Sequence, residues 1–343
     1  MKRKKRVKAK RIKRKVKNRG AKMLKEELKI VFMGTPEFAK VCLQKLLDEK
    51  YNVVGVFCQP DKPYGRGMKL KEPEVKVLAK EYGIEVYQPV RLKENEEVKE
   101  ILNKLNPDLI VVVAYGKILP KYILDYPKFG CINVHGSLLP KYRGAAPIQW
   151  AIINGEKTTG ITTMYMDQGM DTGDMIDKAE LAIESEDTYG TLHDKLAMLG
   201  SELLDKTLKS LLDGTITREK QPEEFTLAPM LDRENTKIDF NKKAEDIVNL
   251  VRGTNPFPTS FCNMNGDILK IYKAHKVDIE NEEGYSSCKI GEVVQINAKR
   301  NEIIVKLKEG FLSIDELKAP GAKQMSSGDF ARGNKIKIGD ILS

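Results

Sequence analysis

The amino-acid sequence predicts an α/β protein with two domains, a larger one built on a mostly parallel sheet and a smaller β-barrel. Its 343 residues are enough for about two domains of roughly 150 residues each. From Lys29 onward, short runs rich in β-branched residues alternate with helical periodicity, which is typical of βαβ units. Beyond residue 231, short strands separated by Gly-rich turns are typical of a small barrel.

The first domain is predicted to cover residues 23–214 and to be Rossmann-like. It begins with a buried strand over 29–33, after which Thr35 is a suitable N-cap and Pro36 a suitable first residue for a helix that runs to about Glu49. Further strands are predicted at 53–58, near 86, and at 109–114, 131–135 and 159–166, the last with alternating polarity. Helices are predicted at 74–82, 96–105 and 185–212, the last one opened by Thr188 and closed by Gly214.

A linker and a second domain are predicted to follow. Residues 215–231 lose periodicity and collect Lys, Gln, Pro and Glu, which indicates an extended linker. The second domain, residues 232–343, begins with an amphipathic helix over 241–253, which Pro256 and Pro258 interrupt. Its β-rich runs lie at 258–264, 269–274, 291–296 and 301–307. This pattern favours a small barrel of the oligonucleotide-binding type.

The net charge of +10 comes from one segment. Residues 1–22 hold fourteen Lys or Arg and no acid, and the remainder holds 45 basic against 49 acidic residues, a net charge of −4. The overall charge of the body therefore does not argue for a nucleic-acid partner. The basic tail is either a disordered phosphate-binding arm or a start-site artefact, since Met23 begins a plausible shorter protein.

Other classes of protein are excluded by composition. The longest apolar runs, such as 109–115, are far shorter than the ~20 residues that span a bilayer, and no signal peptide is visible, so we expect a cytoplasmic protein without a membrane partner. The five cysteines are scattered, without a close pair or a histidine cluster, which fits a reducing compartment and predicts no metal site.

Residues 131–150 carry the most informative polar side chains. The chain has 3 histidines, and His135 ends a predicted parallel strand, where open α/β sheets place ligands. Asn133 comes two residues earlier and shares its face of the strand. Together an amide donor and an imidazole can polarise a carbonyl and stabilise an oxyanion. The spacing alone leaves the alternative open, a structural histidine beside a turn asparagine.

A third polar residue comes from the loop 166–174, where glycines and acids crowd after a strand. Asp171 lies between Gly169 and Gly173 and has no obvious helix to cap. Its carboxylate could accept a hydrogen bond from His135, fix the orientation of the ring and favour its charged form. An Asp-rich turn is the alternative.

The loop over 58–73 is long for a βα connection, which usually takes about 2–6 residues. It carries Lys62, Arg66, Lys69 and Lys71, with Arg66 between Gly65 and Gly67. One interpretation is a basic finger that reaches a phosphate backbone or an unpaired nucleic-acid end. The alternative is a solvated surface loop. The turn after the first strand lacks a GxGxxG pattern, so a dinucleotide site is weakly supported.

Six motifs in order give the chain a resemblance to a known family. They are IVFMGTPEFA (30–39), DKPYGRGMKL (61–70), AYGKILP (114–120), NVHGSLLPKYRGAAPIQ (133–149), YMDQGMDTGDM (165–175) and LVRGTNPFPTSF (250–261). On these motifs the sequence resembles the folate-dependent formyltransferase family over about residues 29–343. Residues 1–22 match nothing in the family pattern, and Tyr142 stands where many relatives carry Trp.

The resemblance implies a set of site residues. The family's catalytic Asn, His and Asp fall on Asn133, His135 and Asp171, and the loop residues Lys62, Arg66 and Lys69 are implied to approach a tRNA acceptor arm. The folate cleft is implied to be lined by Lys117, Ile118, Leu119, Ser137, Leu138, Leu139, Pro140, Asp167, Gln168, Gly169 and Met170.

The resemblance also implies a reaction. The α-amino group of initiator methionyl-tRNA would attack the formyl carbon of 10-formyltetrahydrofolate on a monomeric, metal-free enzyme. A small amine such as glycinamide ribonucleotide or an amino sugar is the alternative acceptor, against which the second domain and the basic loop argue.

A non-catalytic RNA-binding protein is a third reading. It has no need of the Asn133 and His135 pair, and residues 232–343 hold 18 basic and 17 acidic residues, so binding there would need a local patch such as Lys270, Lys273, His275 and Lys276.

Overall fold

Two sheets, each beside its own buried core, organise the chain. The computed structural model describes residues 23–64, 69–280, 282–333 and 335–343. The basic tail 1–22 and Arg66 lie outside the described residues, as does the side chain of Lys69. The apolar cores of the first sheet draw on residues 28–208, and that of the second sheet draws mainly on residues 238–342.

The first sheet is mostly parallel, as predicted. The strands of this part of the chain are β1 (Lys29–Gly34), β2 (Asn52–Phe57), β3 (Lys62–Tyr64), β4 (Lys69–Lys71), β5 (Val86–Tyr87), β6 (Leu109–Val113), β7 (Cys131–His135), β8 (Arg143–Gly144), β9 (Thr158–Tyr165), β10 (Met175–Ala182) and β11 (Leu227–Ala228). The seven strands of the first sheet are ordered β10-β9-β7-β6-β1-β2-β5. The pairs β5–β2, β2–β1, β1–β6 and β6–β7 are parallel, whereas β9 runs antiparallel to β7 and β10 antiparallel to β9.

Helices cover both faces of this sheet, which explains why strands such as β6 and β7 are continuous buried runs. The helices are α1 (Glu37–Asp48), α2 (Glu74–Glu81), α3 (Glu96–Leu105), α4 (Lys121–Leu124), α5 (Pro147–Ile153) and α6 (Tyr189–Asp213). Apolar side chains of α1, α2 and α6 pack on one face, and those of α3 and α4 pack on the other.

Helix ends test the capping predictions. The long helix α6 has Thr188 as its N-cap, which accepts a hydrogen bond from the Thr191 N–H, and it ends at Gly214 with a φ of 69°, both as predicted. The prediction for Thr35 is wrong, because α1 has Pro36 at its N-cap and no side-chain cap. The Thr35 hydroxyl instead donates to the Tyr115 carbonyl at 3.2 Å, which ties the turn after β1 to the turn after β6.

The two antiparallel strands depart from the sequence prediction. Apart from its first residue β9 is buried throughout rather than alternating, since neighbouring strands and layers cover both of its faces. The sequence analysis missed β10, whose polar and partly exposed residues are typical of an edge strand. Gly160 allows the close approach of these strands, because a Cβ there would lie 2.1 Å from the Ala179 carbonyl oxygen and 2.6 Å from Leu138 Cδ2.

We therefore expect Gly160→Ala to destabilise the protein by about 2–3 kcal/mol, since the neighbouring backbone cannot yield as a flexible side chain would. The free energy of unfolding from urea titration measures the effect. Gly284→Ala is the matched control, because a Cβ at Gly284 meets nothing within 4 Å. Equal unfolding midpoints for the two variants would refute the packing argument.

The second sheet is antiparallel and barrel-like. Its strands are β12 (Ser260–Met264), β13 (Asp267–Val277), β14 (Val293–Asn297), β15 (Glu302–Lys306), β16 (Phe311–Lys318) and β17 (Met325–Ser326), and its helices are α7 (Ala244–Thr254) and α8 (Ser327–Arg332). The strands are ordered β12-β13-β16-β15-β14, with β17 beside β16. Near the chain end, Leu342 bridges to Met264 of β12 and Ile341 bridges to Glu292, just before β14. The chain end thereby spans the gap between the two edges of this sheet.

Residues 215–231 are extended, and they are bound to the first sheet's loops over much of their length. β11 pairs in parallel with β8, and Glu219 forms a bridge with Met175. The Arg143 N–H donates to the Thr226 carbonyl at 2.9 Å, and the Trp150 indole N–H donates to the Pro229 carbonyl at 2.8 Å. This segment is therefore part of the wall of the first domain as well as a connection.

Candidate active site

The candidate site lies around the carboxyl end of β7. This strand lies between β6 and β9, and its alternation places Asn133 and His135 on one face. Both side chains are largely buried, with 9% and 5% of the residue exposed. Met164 of β9 lies opposite Asn133, and Thr162 lies opposite His135. The strand thus presents an amide and an imidazole together in a mostly dehydrated setting.

One nitrogen of His135 is committed to the backbone. Nε2 lies 2.9 Å from the carbonyl oxygen of Tyr142, and since a carbonyl only accepts, the Nε2–H donates. Tyr142 has a φ of 62°, a left-handed conformation that is uncommon for a bulky residue. The remaining nitrogen, Nδ1, is therefore the one that can serve a bound molecule.

Asp171 lies beside that second nitrogen. Its Oδ2 is 3.6 Å from His135 Nδ1, an ion-pair distance that is too long for a hydrogen bond. The same oxygen accepts a hydrogen bond of 2.9 Å from the Gly144 N–H. Since β9 is antiparallel to β7, the loop after β9 starts opposite Ile132 and folds back to bring Asp171 near His135. Asp171 itself has a φ of 54°.

The side-chain amide of Asn133 has no hydrogen-bond partner among the residues that the structure describes. It differs in this from His135, whose ring is held on one side by Tyr142 and faced on the other by Asp171. An unengaged amide donor next to a fixed imidazole can polarise a carbonyl placed between them. The carboxylate of Asp171 places a negative charge on the other side of the ring.

No cluster of three or more His, Cys, Asp or Glu suited to a metal occurs within the described ranges. In the same part of the chain, no helix is long and apolar enough to cross a membrane.

The sequence profile of the family described as formyl transferase matches residues 28–208, and the profile of its C-terminal domain matches residues 230–335. The chain belongs to the formyl transferase family. The methionyl-tRNA formyltransferase of Clostridioides difficile (strain 630) is 49% identical over 316 residues, which are 92% of this chain and 100% of the relative.

Solved structures share the formyl transferase fold at low identity. HypX from Aquifex aeolicus in complex with tetrahydrofolic acid superposes with a TM-score of 0.61 at 14% identity, over 88% of this chain and 46% of HypX. WlaRD, a sugar 3N-formyl transferase crystallised in the presence of dTDP and 5-N-formyl-THF, has a TM-score of 0.61 at 20% identity, over 86% of this chain and 99% of WlaRD. At these identities the likeness supports the fold.

The folate-lining residues expected of this formyl transferase fall on three loops. Lys117, Ile118 and Leu119 follow β6, and the residues 137–140 follow β7, so these two groups share one edge of the sheet. Residues 167–170 belong to the loop that carries Asp171. Ile118 and Met170 are 88% and 61% exposed, whereas Leu119, Ser137 and Leu139 are buried. The exposed apolar side chains are the ones available to cover a planar ligand.

Lys117 and Ser137 hold these loops in place. Burial lowers the pKa of Lys117 below its usual range, and its ammonium donates to the carbonyls of Pro89 and Val90. The Ser137 hydroxyl donates to the Lys141 carbonyl at 2.6 Å. Both side chains therefore serve local structure at the rim of the formyl transferase site.

The basic loop of this formyl transferase forms a β-hairpin, in which β3 pairs antiparallel with β4. At its base Asp61 pairs with Lys76 at 2.7 Å and accepts from Gln88 at 2.8 Å, hydrogen bonds that lower the pKa of Asp61. Lys62 is exposed on this hairpin. Arg66 lies outside the described residues, so the structure describes only the base of this loop.

Sequence reasoning missed the residues that hold the candidate catalytic groups. The Tyr142 carbonyl accepts a hydrogen bond from His135, and the Gly144 N–H donates to Asp171. Arg143 and Gln221, which are 78 positions apart in the chain, are hydrogen-bonded to each other. Backbone groups leave no residue-type signal, and a single Gln in a linker has no periodicity. Only Gly144 left a signal in the sequence, because a glycine is required there: a Cβ at this position would lie 2.7 Å from the Ala228 carbonyl oxygen.

Proposed function

We propose that this formyl transferase transfers the formyl group of 10-formyltetrahydrofolate to the α-amino group of initiator methionyl-tRNA. The observation that carries the proposal is that Asn133 and His135 lie on one face of β7 and that the Asp171 carboxylate lies 3.6 Å from His135 Nδ1. The 49% identity to a methionyl-tRNA formyltransferase over its full length supports the choice of acceptor. We further propose that the protein acts in the cytoplasm as a monomer, and that residues 23–214 carry the chemistry.

The formyl donor is proposed to bind across the loops after β6, β7 and β9. Its planar rings would cover the exposed apolar side chains of Ile118 and Met170. Bound there, the donor would reach the edge of the sheet at which His135 ends its strand. This placement brings the formyl group toward the unengaged amide of Asn133 and Nδ1 of His135.

The proposed chemistry is acyl transfer through a tetrahedral intermediate. The neutral amine attacks the formyl carbon, and the carbonyl oxygen gains negative charge, which Asn133 and protonated His135 stabilise. Asp171 balances the charge of the imidazolium across 3.6 Å. The C–N10 bond then breaks, N10 receives a proton, and the amine loses one, with a water able to carry it between them. The products are the formylated amine and tetrahydrofolate.

The acceptor is proposed to be held by parts of the chain outside the catalytic sheet. Lys62, Arg66 and Lys69 of the hairpin would meet the acceptor arm, and the second domain, residues 232–343, would bind the tRNA body. The two domains are in contact, because Arg252 of α7 donates to the carbonyls of Asp187 at 2.8 Å and Glu184 at 2.7 Å. Both parts are thus available to one tRNA.

Acceptor specificity tests the proposal. The protein is incubated with 10-formyltetrahydrofolate labelled in the formyl group and, in parallel, with methionyl-tRNA, glycinamide ribonucleotide or a dTDP-linked amino sugar. We expect label only on methionyl-tRNA, released as N-formylmethionine after deacylation. Label on a small amine at a higher kcat/KM, or binding of RNA without any transfer, would replace this function by one of the alternatives.

Arg66 and the basic tail give opposite predictions for salt dependence. An arginine between two glycines can be placed against one phosphate or base. Arg66→Ala should therefore lower kcat/KM for methionyl-tRNA at low and physiological salt, and the loss should correspond to about 1–3 kcal/mol of transition-state stabilisation. Fourteen charges in the tail supply affinity that salt screens, since the screening length near physiological ionic strength is about 8 Å.

Deleting residues 1–22 should therefore weaken tRNA binding at low salt and change turnover little at physiological salt. Lys178→Ala, which removes one exposed charge from β10, serves as the control for charge alone. Loss of turnover on tail deletion at physiological salt, together with a silent Arg66→Ala, would reverse the assignment.

A further inference from the structure

The linker residue Gln221 contacts the loop that carries Asp171. Its Nε2 donates to the carbonyls of Asp171 and Gly173, each at 2.8 Å. Its Oε1 accepts two hydrogen bonds from the Arg143 guanidinium, from Nε at 3.0 Å and from Nη2 at 2.7 Å. All of the hydrogen-bonding capacity of this amide is thereby used.

Arg143 is fixed on its own account. It is 7% exposed, its guanidinium carbon lies 4.4 Å from the centroid of the Phe225 ring, and its strand β8 pairs with β11. Its two neighbours in the chain are the groups that hold the site: Tyr142 accepts from His135, and Gly144 donates to Asp171. Gln221 and Arg143, here called the clasp, therefore join both partners of His135.

The Asp171 loop needs such an anchor. Asp171 has a φ of 54°, a left-handed conformation that is uncommon for residues other than glycine, although aspartate adopts it more readily than most. The bonds of Asp167 to the Gly169 N–H and the Thr172 hydroxyl stay inside the loop and do not fix it against the sheet. The two bonds from Gln221 and the one from Gly144 are made by residues outside the loop.

We propose that Gln221 is a positioning residue for Asp171, so that the linker forms part of the catalytic unit. The inference rests on the function proposed above. Gln221 acts through the backbone of residues 171–173, and its loss lets the Asp171 carboxylate move away from His135. Displacements of about 1 Å can cost on the order of 10²-fold in rate. The surfaces proposed to bind the formyl donor and the tRNA are not changed by the loss of Gln221.

The variant Gln221→Glu tests the clasp with little change in shape. It keeps an acceptor for Arg143 but replaces the donor that faces two carbonyls with a carboxylate oxygen, which can only accept. We expect kcat to fall by roughly 10- to 100-fold while KM for 10-formyltetrahydrofolate and for methionyl-tRNA stays within about 3-fold. Glu223→Gln is the matched control, since it changes one charge in the same exposed segment and should leave all three constants unchanged.

Amide hydrogen exchange gives a readout that does not need activity. The Gly144 N–H should exchange faster in Gln221→Glu than in the unchanged protein or in Glu223→Gln, because its acceptor on Asp171 is loosened. If the unchanged protein formylates no methionyl-tRNA, the proposed function fails, and exchange at Gly144 still reports on the clasp. Unaltered exchange, an unaltered kcat, or equal changes in kcat and KM would each overturn the positioning role. Should Gln221→Glu fold poorly, Gln221→Asn, which keeps the amide but shortens its reach, is judged by the same criteria.

Discussion

Replacing Asn133 or His135 with alanine is expected to lower kcat by at least about 10²-fold each, or about 3 kcal/mol, the usual cost of removing one oxyanion donor. The reason is that the Asn133 amide is unengaged among the described residues and that His135 offers Nδ1 from a ring whose Nε2 is fixed. Single-turnover formylation with both substrates bound measures the effect.

Binding of methionyl-tRNA should persist in both variants, because neither side chain belongs to the proposed tRNA surface. His193→Ala is a suitable control, since it removes another imidazole, which packs beside Phe38 and Tyr189 in the first domain. Near-native single-turnover rates in either alanine variant would remove that residue from the site.

Replacing Asp171 with asparagine is expected to lower kcat by about 10- to 100-fold with little change in either KM. An asparagine oxygen can still accept from the Gly144 N–H, which is 2.9 Å from Asp171 Oδ2, so the loop keeps its place. What disappears is the negative charge 3.6 Å from His135 Nδ1, and with it the stabilisation of the imidazolium.

Asp174→Asn is the matched control for Asp171→Asn, because Asp174 lies in the same loop but outside the residues proposed to line the folate cleft. We expect its kcat to stay close to that of the unchanged protein. Equal rates for the two asparagine variants would show that the charge at Asp171 is not used.

The sequence was most informative where structure follows from local composition. Runs such as LIVVV and CINVH are apolar because both faces of a central parallel strand are covered, so β6 and β7 lie within one residue of their predicted bounds. Asn133 and His135 stand out in such a run for the same reason, since polar side chains are uncommon in a buried strand and therefore indicate a specific role. Their shared face follows from the period of two along a strand.

What could not be predicted depends on long-range pairing. β10 reads as polar because it is an edge strand, and β8 and β11 pair over two residues each, too few to show periodicity. The clasp between Gln221 and Arg143 joins a linker to a loop. Which nitrogen of His135 is left for a bound molecule depends on one carbonyl, that of Tyr142, which engages Nε2 and leaves Nδ1. These contacts exist only once the chain has folded.

A double-mutant cycle between His135→Ala and Asp171→Asn tests most directly whether the two side chains act as one unit. Single-turnover rates are measured for the unchanged protein, both single variants and the double variant. We expect Asp171→Asn to slow transfer only when His135 is present, so that the double variant matches His135→Ala within about 2-fold. A double variant that is slower than His135→Ala by the full Asp171→Asn factor would show that the two side chains act independently.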